Sequence, residues 1–273
     1  MRSSNPVLNS LTGTRQNYAQ AGYQQQAFNP MSQYDQPVTS AGAAERPMTV
    51  DDVVTKTGIT VGVIIAFAVL NFALATVNPG LAMILTGVGA IGGLITVLIS
   101  TFGRKYGSAA VTLTYAAFEG LFVGGISLVL SGAMVGGQNA GALIGQAVLG
   151  TIGVFLGMLY VYKTGAVKVT PKFNRILTGS LIGVLVLALG NMVLGFFGIN
   201  LGLYSGGPIA IIFSLFCIGL AAMSFLQDFD IADRLIRQGA PAKNAWGVAL
   251  GLAVTLVWLY TEILRLLSYF NQR

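Results

Sequence analysis

The 273-residue chain has no histidine and a single cysteine, and charged residues make up only 9% of it. Without histidine, the serine–histidine and cysteine–histidine nucleophilic pairs and the usual zinc ligand sets have no members to draw on. With Cys217 alone, no intrachain disulfide can form. The chain therefore reads as no enzyme and as carrying no cofactor. Scarce charge excludes more. Soluble domains average about 25% charged residues, whereas this chain is 54% hydrophobic with a mean hydropathy of +0.74. That is the composition of a chain that crosses a lipid bilayer many times. A net charge of +6 would suggest nucleic acid in a soluble domain. Here the basic residues sit in short links between apolar runs, so they speak for topology and no nucleic-acid partner is expected.

What the chain does have is apolar runs, spaced along residues 57–77, 81–102, 109–131, 141–162, 176–198, 206–227 and 245–267. Each is long enough to cross a hydrocarbon core of about 30 Å as a helix of about 20 residues. The fold class expected is an all-α integral membrane protein of seven transmembrane helices over residues 51–273. Turn chemistry separates the runs: Asn78-Pro79-Gly80, Gly103-Arg104-Lys105, the glycines between 132 and 137, Pro171, and Gly239-Ala240-Pro241. Residues 1–50 differ. They are rich in Gln, Asn, Ser and Tyr, contain Gln24-Gln25-Gln26, and show no sustained apolar period. Such a segment cannot bury enough apolar surface to offset its ordering entropy, and reads as a disordered cytoplasmic tail.

Orientation follows from Lys and Arg. Arg2, Arg15, Arg46 and Lys56 precede or open the first run; Arg104 and Lys105 follow the second. Lys163, Lys168, Lys172 and Arg175 lie between the fourth and fifth; Arg234, Arg237 and Lys243 between the sixth and seventh. Those thirteen of 15 fall on one side, and by the positive-inside rule that side, with the N-terminus, is cytoplasmic and the C-terminus outside.

Gly87-Val88-Gly89-Ala90-Ile91-Gly92 spells a dinucleotide fingerprint, but no strand–turn–helix unit surrounds it, and close helix packing is the better account. The same holds for glycines four apart: 89/93, 120/124, 153/157, 179/183 and 247/251. The chemistry-bearing residues are the acids. A carboxylate within a span costs several kcal/mol unless it is paired or faces water, so each is a functional candidate. At 1.5 Å per residue, Glu119 falls roughly 17 Å from the cytoplasmic edge, Asn71 and Asn191 about 21 Å, and Glu262 about 25 Å. Asp230 falls at the edge itself. Glu119 has no basic residue within a helical turn, so it is neutral or served by another helix. Glu262 has Arg265 three residues on, and both could reach the outer interface. The stretch Gln227-Asp228-Phe229-Asp230-Ile231-Ala232-Asp233 reads as an acidic link between the last two runs, with Asp230–Arg234 and Asp233–Arg237 in the favourable acid-first order of an i,i+4 pair.

With its seven spans, an acid just after the sixth, and the late string Trp258-Leu259-Tyr260-Thr261-Glu262-Ile263-Leu264-Arg265, the chain resembles the transmembrane Bax-inhibitor-motif family. Its opening Met1-Arg2-Ser3-Ser4-Asn5-Pro6 is similar to a bacterial branch of it. The resemblance implies a central seventh helix, a bacterial inner-membrane location, and a calcium leak gated by pH through paired acids on the sixth and seventh spans. Carried over by motif, Asp230 matches the first acid. For its partner, Glu262 matches within Leu259-Tyr260-x-Glu262, while counting without a gap places Thr255 there. If Thr255 is the match, the paired-acid switch is absent or rebuilt and Glu119 is the stronger candidate for the proton-sensitive group. Asp228, Asn71, Asn191 and Arg265 are supporting candidates. Two functions stand open: a pH-sensitive cation (calcium) leak channel, with calcium or protons as partners, and a non-conducting regulator of a membrane protease or stress response. An aspartyl intramembrane protease is third, lacking a Gly-x-Gly-Asp signature.

Overall fold

A computed structural model describes residues 46–103, 106–132, 140–199 and 201–271. They form seven long helices: α1 (Val50–Val77), α2 (Pro79–Phe102), α3 (Ala109–Leu130), α4 (Ala140–Thr164), α5 (Pro171–Phe196), α6 (Pro208–Arg237) and α7 (Ala245–Asn271), with a 3-10 turn at Ala242–Asn244 before α7. Each helix is long and apolar enough to cross a membrane. The molecule is an all-helical, multi-span membrane protein.

Local chemistry sets the helix ends. Thr49 and Asp52 close a capping box at the start of α1, satisfying two backbone donors reciprocally. Asn78 does two jobs in a one-residue joint. Its N–H donates to the Leu74 carbonyl to finish α1, and its side chain accepts from Leu81 N–H at 3.0 Å to begin α2. Pro79, Pro171 and Pro208 each stand at the first helical position, where a missing N–H costs nothing. Ser108 and Thr170 cap α3 and α5 through Val111 and Phe173 N–H.

The helices are longer at the basic end than the apolar runs suggest. The stretch 227–233, expected as a link, is two further turns of α6, which ends only at Arg237. Similarly α5 starts at Pro171, not near 176. The i,i+4 pairing tendency of the acids with Arg234 and Arg237 is what carries α6 past its apolar part. Of the stretch expected as tail, residues 1–45 lie outside the described residues, while residues 46–49 pack against the bundle.

In the bundle, α7 is central: it packs against α1, α3, α4 and α6, and about two-thirds of its most apolar window is buried, 67%. At the other extreme α5 packs only on α6 among substantial helix pairs, and 6% of its window is buried. Close approach, not bulk, joins α1, α2 and α3. A Cβ at Gly120 would stand 2.5 Å from the Ile64 carbonyl, and one at Gly124 would collide with the Ala68 backbone. Absent a hydrophobic drive between helices in lipid, such backbone contact is what holds a pair together. Asn71, 1% exposed, pins the three helices at depth by donating to Thr86 Oγ1 (3.0 Å) on α2 and the Leu121 carbonyl (2.6 Å) on α3. A Ser127–Tyr260 hydroxyl contact at 2.8 Å then ties α3 to α7.

Candidate functional site

One face of α7 carries Gly247, Gly251, Thr255, Glu262, Arg265 and Tyr269 at spacings of three, four and seven, which align along a single side of a helix. This face meets α6, so the α6–α7 seam presents polar groups along much of its length. At its basic end Gly247 lies under the Tyr106 ring, 2.5 Å from where an alanine Cβ would be. Tyr106 belongs to the α2–α3 connection. Burial, and behind it the charge of Asp228, raise its phenol above the ordinary value.

Next along the seam stands Asp228. Thr255 donates to its Oδ2 at 2.7 Å, and the same hydroxyl is 3.3 Å from the Gly251 carbonyl one turn back. Gly251 faces the carboxylate: a Cβ there would sit in ordinary contact, 3.9 Å from Asp228 Oδ1. On its α4 side, α6 is braced by aromatic contacts, with Phe155 meeting Phe225 and Phe229 edge-on at 5.3 and 5.5 Å. Tyr162 donates to Asp233 at 3.3 Å.

Two turns beyond Thr255, about 10 Å along the helix, Glu262 pairs with Arg265 at 2.6 Å. Glu262 is 5% exposed, and the Arg265 guanidinium lies 4.9 Å from the centre of the Tyr204 ring. Tyr204 belongs to the α5–α6 connection, so the pair is held against that end of the bundle. Glu262 Oε2, Ser214 Oγ and Tyr269 Oη are buried without a hydrogen-bond partner among the described residues.

The remaining sequence candidates separate from this seam. Asp230, which the motif match put in the pair, is held by Arg234 at 2.9 Å, and Asp233 by Arg237 at 2.8 Å. Asp230 and Glu262 are therefore not partners; the helix-7 partner of an α6 acid is Thr255, and that acid is Asp228. Because α6 stays helical to Arg237, residues 228 and 230 point 200° apart, which a two-residue shift in the motif cannot show. Glu119 sits between α2 and α3, hydrogen-bonded to Tyr115 on its own helix, with its Oε2 2.8 Å from a Cβ built on Gly93. Neither Asp228 nor Thr255 is among its contacts. Asn191 stands near the far end of its helix. Five residues from the end of α5, it accepts from Leu201 N–H at 3.3 Å and so braces the α5–α6 connection. Tyr106 and Ser127 carried no sequence signal of their own. The stripe on α7 did, in its three–four spacing.

Compared with known proteins, residues 5–272 match the family described as Bax inhibitor 1 like. No curated protein matches the chain.

Proposed function

From a chain that belongs to the Bax inhibitor 1 like family, we propose a pH-sensitive cation leak, with calcium as the ion carried along the α6–α7 seam. The protein is not an enzyme on this reading, and it works in a bacterial inner membrane with the basic end and N-terminus in the cytoplasm and the C-terminus outside. One observation carries the proposal: an acid near the basic end of the α6 span whose carboxylate is bonded to the central helix, at Asp228–Thr255. An acid that turns into a membrane bundle there, toward another helix and not out to water, marks an ion or proton route.

The pair differs from two facing acids in a way that shapes mechanism. Two carboxylates at this distance share a proton and repel when both ionise. Asp228 and Thr255 do neither. An ionised Asp228 accepts from the hydroxyl; a protonated one donates to it, while the Thr255 hydrogen turns to the Gly251 carbonyl 3.3 Å away. The bond survives both states, so protonation changes the charge offered to a passing cation more than the geometry. Leak then falls as pH falls, because the neutral carboxyl no longer attracts the ion.

The alternative, a non-conducting regulator of a membrane protease or stress response, has its own support in α5. That helix leaves Ile182, Leu185, Val186, Leu189 and Met192 exposed along its length, a face open to a partner helix. Purified protein in dye-loaded liposomes separates the two. Calcium leak above that of protein-free vesicles supports the channel, and its absence in oriented, folded protein leaves the regulator.

A further inference from the structure

The four residues ahead of α1 make an unexpected set of contacts. Met48 N–H donates to the Ala240 carbonyl at 2.8 Å, and Ala242 N–H donates to the Arg46 carbonyl at 2.9 Å. Pro47 and Pro241 face each other across this antiparallel bridge. They occupy the non-hydrogen-bonded pair, where N–H groups point away from the partner strand, so two prolines forfeit nothing. Arg46 also grips Asp52 with both guanidinium nitrogens, at 2.8 and 2.6 Å, in the two-pronged geometry that makes arginine pairs strong. Asp52 is in turn the acid of the α1 capping box. A turn further on, Lys56 donates to the Ala242 carbonyl and lies 5.6 Å from the centre of the Trp246 ring.

The Met48 side chain is the anchor. It is 2% exposed and packs in one cluster with Phe229 and Ala232 of α6 and Ala245 and Val248 of α7. Phe229 directly follows Asp228, and Ala245 opens the helix that presents Gly251 and Thr255. A segment leading into a first helix ordinarily frays. This one touches both sides of the seam at its basic end, and the chain's first 45 residues join it directly.

We propose that residues 46–49 are a strap that holds the basic ends of α6 and α7 together and sets how readily the seam opens at Asp228–Thr255. The proposal rests on the seam being the working site. Movement that parts α6 from α7 at Asp228 separates Phe229 and Ala232 from Ala245 and Val248 within the cluster that holds Met48, so Met48 goes with one side or leaves the cluster. A pull on the chain ahead of residue 46 reaches the seam by the same route.

Hydrogen exchange and calcium leak, measured on the full chain in lipid, test it together. Met48→Ser and Arg46→Ala should each speed exchange at the Ala242 amide about tenfold, as expected for one lost charge-assisted or anchoring contact. The amides of 226–232 and 248–255 should speed with it, and basal leak should rise. Pro47→Cys with Pro241→Cys, in a Cys217→Ser background, gives a strap that oxidation locks and reductant frees within one folded protein. Locking should slow the same amides and lower leak, reversibly. Faster exchange at Ala242 with 226–232 and 248–255 unchanged, or a locked strap with exchange in the seam unaltered, would overturn the strap. Coupled exchange in vesicles that never leak sustains the strap while removing the channel reading.

Discussion

Replacing Thr255 by Val exchanges a hydroxyl for a methyl of similar shape and leaves the Asp228 carboxylate without the donor now 2.7 Å away. A hydrogen bond to a charged group contributes about 1.5–3 kcal/mol, and a donor removed from one side alone leaves the other side unsatisfied. Asp228 is only half-buried, which puts the expected loss near the lower bound, about 1.5 kcal/mol. For a chain of this size that is a fall in melting temperature of roughly 3–6 °C. Asp228→Asn should cost less, because the amide oxygen still accepts from Thr255. Replacing both partners by apolar residues, as Asp228→Leu with Thr255→Val, should recover part of the loss. Cys217 supplies the assay. It is the chain's one thiol and is 1% exposed, so its reaction with a maleimide dye on heating reports unfolding with no added label. A Thr255→Val protein that melts within about 1 °C of the parent would refute the reasoning. The Asp228–Thr255 contact would then contribute nothing to the seam.

Gly120→Ala should lower the melting temperature by an amount equivalent to about 1–3 kcal/mol through overpacking, because its Cβ meets the Ile64 carbonyl, whereas Gly183→Ala, inside α5 with nothing within 4 Å, should hold it or raise it through helix propensity. Glu262→Gln should destabilise by about 3 kcal/mol, since it strands the Arg265 charge in a buried pair; the same dye assay measures it, and a neutral result would show that Arg265 reaches water. Glu119→Gln, which keeps an acceptor for Tyr115, should leave the pH profile of calcium leak as in the parent, and a profile as altered as that of Asp228→Asn would bring Glu119 into the ion path. Single cysteines at Lys168 and Ser205, in a Cys217→Ser background, should react from the cytoplasmic and outer sides respectively, and the reverse pattern would invert the topology.

How much of this was legible depended on which physical signal each feature leaves in a sequence. The seven spans were readable because a bilayer imposes length and apolarity on every helix, and both survive in composition. Boundaries were less so at the basic end: Asp230 and Asp233 look like a loop by hydropathy, yet their i,i+4 arginines continue α6 to Arg237. Glycines four apart divided by environment. At 89/93 and 120/124 a Cβ would strike a neighbouring helix, while at 153/157 and 179/183 nothing lies within 4 Å. Identical spacing cannot distinguish a packed face from a lipid-facing one, because that depends on which helix is next door. Which acid meets the central helix turns on phase for the same reason. A motif match fixes an acid to within a residue or two, and two residues on a helix turn it from Thr255 to Arg234. The strap left almost no trace, since its bonds are backbone bonds around two prolines and its anchor is a lone methionine in a polar stretch.

The most direct test of the seam as a proton-sensitive cation path is calcium leak from liposomes, followed from pH 5 to pH 8 for the parent and for Asp228→Asn. The parent should leak more as pH rises, as the Asp228 charge becomes available to the ion. Asp228→Asn should hold a low leak that no longer varies with pH while melting close to the parent. Parallel pH profiles in the two proteins would contradict the account.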